Sequence, residues 1–219
     1  EFGLRIKKKD RGWREVNDFI SKDDGKLSTK DRISMVCFKL LRENSNMNIT
    51  ISQVCKAAGI TKSTFYYYYH SIDEVIESFS DIISIELSKA MPEIFAQKTC
   101  VEQALLAIKV VDTAVEQLGP SVASSRYSMH LKKGDYPGFH AETGWQLVVA
   151  IMSKAIALGE IPDDRSAEEV ATSIFYIMRG VNHSWCMCGG GFDFTNTVQR
   201  ELKLYLQLLQ SSAASGQHK

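Results

Sequence analysis

The chain lacks any uninterrupted apolar run long enough to cross a bilayer, and residues 1–26, beginning EFGLRIKKKDRGWREV, are basic without the apolar stretch of a secretory leader. Those residues are therefore expected to form a basic arm on a soluble, cytoplasmic protein with no membrane partner. Cysteine is sparse and odd in number, at positions 37, 55, 100, 186 and 188, which fits reduced thiols and no disulfide framework. No alternating strand pattern of useful length and no internal repeat occurs, which leaves an all-α fold. A catalytic or metal constellation is also wanting. His183 and Cys186 are three apart and could meet on a helix, but Cys188 points elsewhere and no fourth ligand is evident, so neither metal, cofactor nor enzymatic activity is expected.

Net charge is likewise missing from the whole chain, with 26 basic and 26 acidic residues, but not from its halves. Residues 1–70 carry 14 Lys and Arg against 8 Asp and Glu, and residues 71–219 carry 12 against 18. A basic first third ahead of an acidic remainder is the electrostatic footprint of a protein that offers one end to phosphates.

What the basic part contains is TISQVCKAAGITKSTFYYYYHSIDEVI, residues 50–76. Thr50 with Gln53 forms a capping box that opens a helix, on which Ile51, Val54, Cys55 and Ala58 share a face. Gly59 can take the left-handed conformation that ends it, and Ile60 supplies an apolar plug beneath the turn. Thr61 caps a second helix in which Phe65 and Tyr69, four apart, face the core while Lys62, Ser63, Tyr66 and Tyr67 point away. Ser71 with Glu74 is a second capping box, and the apolar positions Val75, Ile76, Phe79, Ile82 and Ile83 after it keep helical spacing, predicting one helix from about 72 to 89 with Pro92 at its end or at a kink. Before this unit, Ser28 or Thr29 can cap a helix on which Ile33, Val36, Cys37, Leu40 and Leu41 recur at i, i+3, i+4, i+7 and i+8. Two short helices with a tight turn between them form the unit that sets a recognition helix in the DNA major groove.

The residues Ala57-Ala58-Gly59-Ile60-Thr61 and Thr64-Phe65-Tyr66-Tyr67-Tyr68-Tyr69, followed by Ser71-Ile72-Asp73-Glu74, resemble the DNA-binding end of the TetR family of one-component transcriptional regulators. The resemblance is motif-specific over roughly residues 28–90 and architectural beyond. It implies a three-helix DNA-binding bundle, a larger helical ligand-binding and dimerisation domain, and a two-fold homodimer held by its last two helices. Ile72 stands where the family usually has a lysine that approaches a phosphate, so that contact is missing here and the tyrosine hydroxyls and the basic residues 5–14 are expected to compensate. Tyr68 and Tyr69 stand where histidine and phenylalanine are common.

The expected organisation is a basic arm at 1–26, a helix-turn-helix domain at 27–72 and a helical ligand-binding and dimerisation domain at 73–219. Thr61, Lys62, Ser63, Tyr66 and Tyr67 are candidates to reach base edges and nearby phosphates of double-stranded DNA, and Thr29, Thr50, Tyr68 and His70 to meet the backbone. Further helices are predicted at about 101–118, 120–131, 141–159, 166–188 and 194–210, separated by glycine- and proline-bearing stretches. Large apolar and convergent polar residues on them, Arg126, Tyr127, His130, Trp145, Met152, Phe175, Met178, Arg179 and His183, are candidates for a small-molecule site, with Asn182 as a further polar group. A charged Arg179 there calls for an anionic ligand group or an internal carboxylate such as Glu142. The final helix is apolar over more than one face, through Val198, Leu202, Leu204, Tyr205, Leu206, Leu208 and Leu209, which suits a partner helix. The functional expectation is a ligand-responsive regulator, a repressor released from a palindromic operator by a small molecule. The rival is a helical ligand- or protein-binding adaptor with weakened DNA binding, for which Ile72 is the motive.

Overall fold

The computed structural model of the chain describes residues 28–43, 49–134 and 143–216. The expected basic arm and Glu142 lie outside the described residues. Among those described, every element is a helix: α1 Thr29–Glu43, α2 Ile51–Ala58, α3 Lys62–Tyr68, α4 Ile72–Glu77, α5 Phe79–Phe95, α6 Cys100–Leu118, α7 Pro120–Lys133, α8 Thr143–Ala157, α9 Ala167–Met187 and α10 Phe194–Gly216.

Local chemistry sets most of the boundaries. Ser28 is the residue that caps α1, its hydroxyl accepting from the backbone N–H of Asp31 at 3.1 Å. Thr50 and Gln53 close the capping box of α2, and Gly59 ends it at φ 65°, a conformation that costs a residue with a Cβ about 1 kcal/mol or more. Capping boxes also open α6 at Thr99 with Glu102 and α9 at Ser166 with Glu169. The first turn of α6 has a second acceptor from far away in sequence. The Glu160 carboxylate receives the N–H of Cys100 at 2.8 and 3.0 Å and that of Val101 at 3.2 Å, and so ties the end of α8 to the start of α6.

The structure divides the helix predicted from 72 to 89. Ser78, at φ −62° and ψ −7°, separates α4 from α5, and its hydroxyl donates to the Val75 carbonyl at 2.7 Å instead of leaving the chain to continue regularly. Pro92 neither ends α5 nor interrupts it. It lies in the last turn, and the helix runs on to Phe95. The final helix also extends beyond its expected end, to Gly216.

A single buried cluster joins the first bundle to the rest of the molecule without a break at residue 72. Ile33, Cys37, Leu41, Val54, Phe65 and Val75 fill the first bundle, and Ile108, Val148, Met152, Ile174 and Phe175 the centre of the second. The α7 helix connects the two, since it packs on α1 and α4 on one side and on α6 and α9 on the other. Gly144 allows α8 to sit close, because a Cβ there would already touch Leu87, Val111 and Phe175 at 3.6–3.7 Å.

Candidate nucleic-acid interface and interior cavity

The seven residues of α3 carry the run of tyrosines, and the helix disposes them unequally. Phe65 is fully buried, Tyr66 and Tyr67 are 51% and 80% exposed, and Tyr69 is buried as the extended residue that ends the helix. Tyr68 is half-buried, its ring edge-on to that of Tyr67 at 4.9 Å. Thr61, Lys62 and Ser63 are exposed at the start of the same helix, so the outward face predicted from spacing stands clear of the protein. A buried phenol requires a partner. Tyr69 finds it in Ser34 of α1 at 2.6 Å, and the Ser34 hydroxyl lies 3.1 Å from that of Ser78. These three hydroxyls connect the end of α3 to the break between α4 and α5. Sequence reasoning missed this chain, because Ser34 is separated from its partners by 35 and 44 positions and no local pattern marks the pairing.

Of the residues expected near the DNA backbone, Thr50 and His70 are exposed, Thr29 and Tyr68 half-buried. The Thr50 hydroxyl donates to the Gln53 side chain at 2.9 Å, and that of Thr61 lies 2.8 Å from Thr64. Both threonines therefore act first as helix caps. Glu74 reaches back to accept the backbone N–H of His70 at 2.6 Å, which fixes the corner after α3. Lys30 lies 5.6 Å from the centre of the Tyr69 ring, a basic side chain close to that corner.

In the second part of the molecule a cavity of about 50 Å³ lies between α5, α6, α7 and α9. It brings together Arg126, Tyr127, His130, Met178 and Arg179 from the expected set, along with Asn182. Trp145, Met152 and Phe175 do not line it; they are buried in the surrounding core. His183 is exposed, one helical turn beyond Arg179, with its ring 6.4 Å from that of Tyr127. Phe79, Ile83, Val111, Val115 and Ala123 complete the wall. Their helical spacing marked the first two as core-facing, and nothing in the sequence separates core that lines a void from core that fills one. This volume is far below the roughly 300–1,000 Å³ of a ligand site.

The side of α7 that lines the cavity is bound to the helix break. Arg126 donates to the Ser80 hydroxyl at 3.4 Å and stands 5.5 Å over the Phe79 ring. His130 Nε2 lies 3.3 Å from Glu77, and Lys133 is 3.3 Å from Asp73.

The thiols are free. Cys37 is pushed up to about 12 by burial, and Cys186, also raised by burial, donates to the Asn182 side-chain oxygen at 3.3 Å. Among the described residues no group of three or more potential ligands could hold a metal ion, and no helix is long and apolar enough to cross a membrane.

Neither a protein-family model nor a curated protein sequence matches the chain. Solved structures do. The Thermus thermophilus FadR, a TetR-family transcriptional repressor in complex with lauroyl-CoA, aligns over 81% of this chain and 93% of its own at 18% identity and a TM-score of 0.61. The Bacillus subtilis transcriptional regulator FadR, in complex with stearoyl-CoA, aligns over 78% and 96% at 18% identity and a TM-score of 0.59. A putative transcriptional regulator from Saccharomonospora viridis, in complex with choline, aligns over 81% and 95% at 13% identity and a TM-score of 0.54. These neighbours share an architecture and differ in ligand. The chain has the fold of the TetR-family transcriptional regulators.

Proposed function

We propose that the chain is a TetR-family regulator that binds operator DNA as a homodimer and releases it when a small molecule opens the cavity under α7. The observation that carries this reading is the outward face of α3, where Tyr66 and Tyr67 remain exposed beside Lys62 and Ser63 while Phe65 and Tyr69 anchor the helix from behind. Large apolar side chains held in water by a short, well-capped helix are a contact surface in waiting. Tyrosine suits a duplex, since its hydroxyl can donate to a phosphate and its ring can lie against a thymine methyl.

The proposed dimer uses α9 and α10. Val198, Leu202 and Leu206 face inward, whereas Leu204 and Leu208 are 54% and 68% exposed on the same helix, and Tyr176 and Met187 are exposed on α9, which packs on α10. A two-fold dimer presents two recognition helices to half-sites on one side of the duplex, and an imperfect palindrome follows as the operator. Ligand in the cavity would displace α7, which carries contacts to α1, α4 and α5, and so change the separation of the recognition helices. DNA and ligand then oppose one another through one equilibrium, and each weakens the other by the same factor.

Electrophoretic mobility shift on the DNA flanking the chain's own gene tests the reading. The wild-type protein should retard a discrete fragment. The double variant Tyr66→Ala/Tyr67→Ala should lose about 100-fold or more in affinity, the equivalent of two lost contacts of 1–3 kcal/mol, with little change in Tm. A large stability loss with DNA binding intact would reverse the assignment of these side chains, and a wild-type protein that retards no fragment would favour the adaptor reading.

A further inference from the structure

We infer that the Tyr69 hydroxyl and its partner Ser34 are positioning groups for DNA reading, which hold the exit end of α3 against α1. The inference rests on the operator-binding reading above and adds what orients its contact face. The α3 helix has seven residues, of which Phe65 alone is buried. A helix so short and so exposed keeps its setting through what holds its two ends. At the entry the Cys55 thiol, a weak donor, reaches the Thr61 carbonyl at 3.7 Å. At the exit Tyr69 meets Ser34 at 2.6 Å. Among the described residues, no other side chain from Lys62 to Tyr69 hydrogen-bonds to another helix.

Counting protons gives this contact a direction, because each hydroxyl has one to donate. The Ser78 proton goes to the Val75 carbonyl at 2.7 Å, so at the 3.1 Å contact between Ser34 and Ser78 it is Ser34 that donates. With the Ser34 proton so used, Tyr69 donates to Ser34. The reverse order would leave a phenol proton facing no acceptor on a residue that is 2% exposed. The Lys30 carbonyl, 3.3 Å from the Ser34 hydroxyl, is a second and longer outlet for the Ser34 proton and leaves the direction at Tyr69 unchanged. Tyr69 is therefore the first donor of the chain. Loss of its oxygen orphans no donor, whereas loss of the Ser34 oxygen orphans the phenol proton.

Reading bases needs more of α3 than binding phosphates does. Base edges are met by short directional contacts, while non-specific affinity comes from the charge of the backbone. Side chains that read must be held within about 0.5 Å and 10–20° of their productive place. Tyr66 and Tyr67 lie between the Phe65 anchor and Tyr69, so a rotation of α3 about Phe65 displaces both rings. The Tyr69–Ser34 bond opposes that rotation from the far end of the helix.

The test is the affinity of the full chain, well below Tm, for the fragment it retards in the mobility shift and for a fragment of equal length and unrelated sequence, both read by fluorescence anisotropy. Tyr69→Phe keeps the ring and orphans no donor. It should lose about fivefold or more in operator affinity, the equivalent of one net hydrogen bond, with non-specific affinity within about twofold and Tm within about 2 °C of wild type. Ser34→Ala should lose as much operator affinity and, unlike Tyr69→Phe, should also lower Tm. The double variant Ser34→Ala/Tyr69→Phe should lose no more operator affinity than either single variant, since one tie is broken in all three, and should melt above Ser34→Ala. An unchanged ratio of operator to non-specific affinity in Tyr69→Phe, through no loss in either or an equal loss in both, would overturn the inference. So would operator losses that add in the double variant. A wild-type protein that binds its operator no better than Tyr69→Phe does sinks this inference alone; a wild-type protein that selects no fragment sinks the regulator reading, and this inference with it.

Discussion

Four consecutive tyrosines of identical chemistry take different roles because a helix turns about 100° per residue. Tyr69 lies where the chain leaves the helix, and its ring and hydroxyl are both used internally, against Phe65 at 6.2 Å and Ser34 at 2.6 Å. Tyr66 and Tyr67 meet ring edges on their own helix, Phe65 at 5.8 Å and Tyr68 at 4.9 Å, but remain exposed to water. Asp112 on α6 is the opposite case, a polar residue inside with nothing to meet it. It is fully buried, neither carboxyl oxygen has a hydrogen-bond partner, and burial first, then the charge of nearby Glu116, holds its carboxyl well above the usual carboxylate range. Between the unfolded value near 4 and the raised native one, the unfolded chain has lost the proton that the native chain keeps. Stability due to Asp112 is therefore complete at acid pH and declines as pH rises through that window, by up to about 1.4 kcal/mol per pH unit. Asp112→Asn removes the titrating group at almost constant volume. Urea unfolding at a series of pH values should show the decline in wild type and its loss in the variant, which becomes the more stable of the two at neutral pH.

At the scale of the helix, the first turn of α6 shows how a boundary legible in sequence depends on a partner that is not. Thr99 and Glu102, at capping-box spacing, satisfy the N–H groups of Glu102 and Thr99. The N–H groups of Cys100 and Val101 are satisfied by Glu160, about 60 residues later. A carboxylate at a helix N-terminus also opposes the positive end of the helix dipole. Glu160→Ala leaves both donors in a largely buried turn, and should cost about 2 kcal/mol and lower Tm by roughly 4–8 °C in a chain of this size. Glu160→Gln keeps an acceptor without the charge and should fall between the two proteins. Thermal unfolding followed by circular dichroism measures the series. The break at Ser78 belongs to the same scale, since the apolar spacing after Ser71 continues through it and predicts a straight helix. Hydrogen bonding of a small hydroxyl to Val75, and to Ser34 of another helix, decides otherwise.

For the whole molecule, the question is what covers the outer stripe of α10. Leu204 and Leu208 stand two positions out of phase with the buried stripe of Leu202 and Leu206, so a single domain cannot enclose both. Replacement of Leu204 and Leu208 with Glu should leave the fold intact, shift the mass in sedimentation equilibrium from dimer to monomer, and weaken binding to a two-half-site operator far more than to one half-site. A variant that remained dimeric would place the interface elsewhere. In the proposed dimer the charge asymmetry of the chain would find a use, with the basic end toward DNA and the acidic end toward the partner and solvent.

Sequence alone determined the local events: the caps at Thr50, Thr61 and Ser71, the left-handed stop at Gly59, the all-helical class and the outward face of α3. Each depends on residues within four positions of one another, where backbone geometry fixes the distance. Which of the candidate residues would converge on the cavity was not legible. Large apolar residues on helices looked alike, yet Trp145, Met152 and Phe175 proved to be packed core while Phe79 and Val115 line a void. Only tertiary structure decided that, as it decided the Tyr69–Ser34–Ser78 chain, the Glu160 cap and the convergence of Arg126 with Arg179. The physical reason is common to all four. A contact between helices depends on how two faces pack, and packing is a property of the assembled surfaces, recorded in no single stretch of sequence.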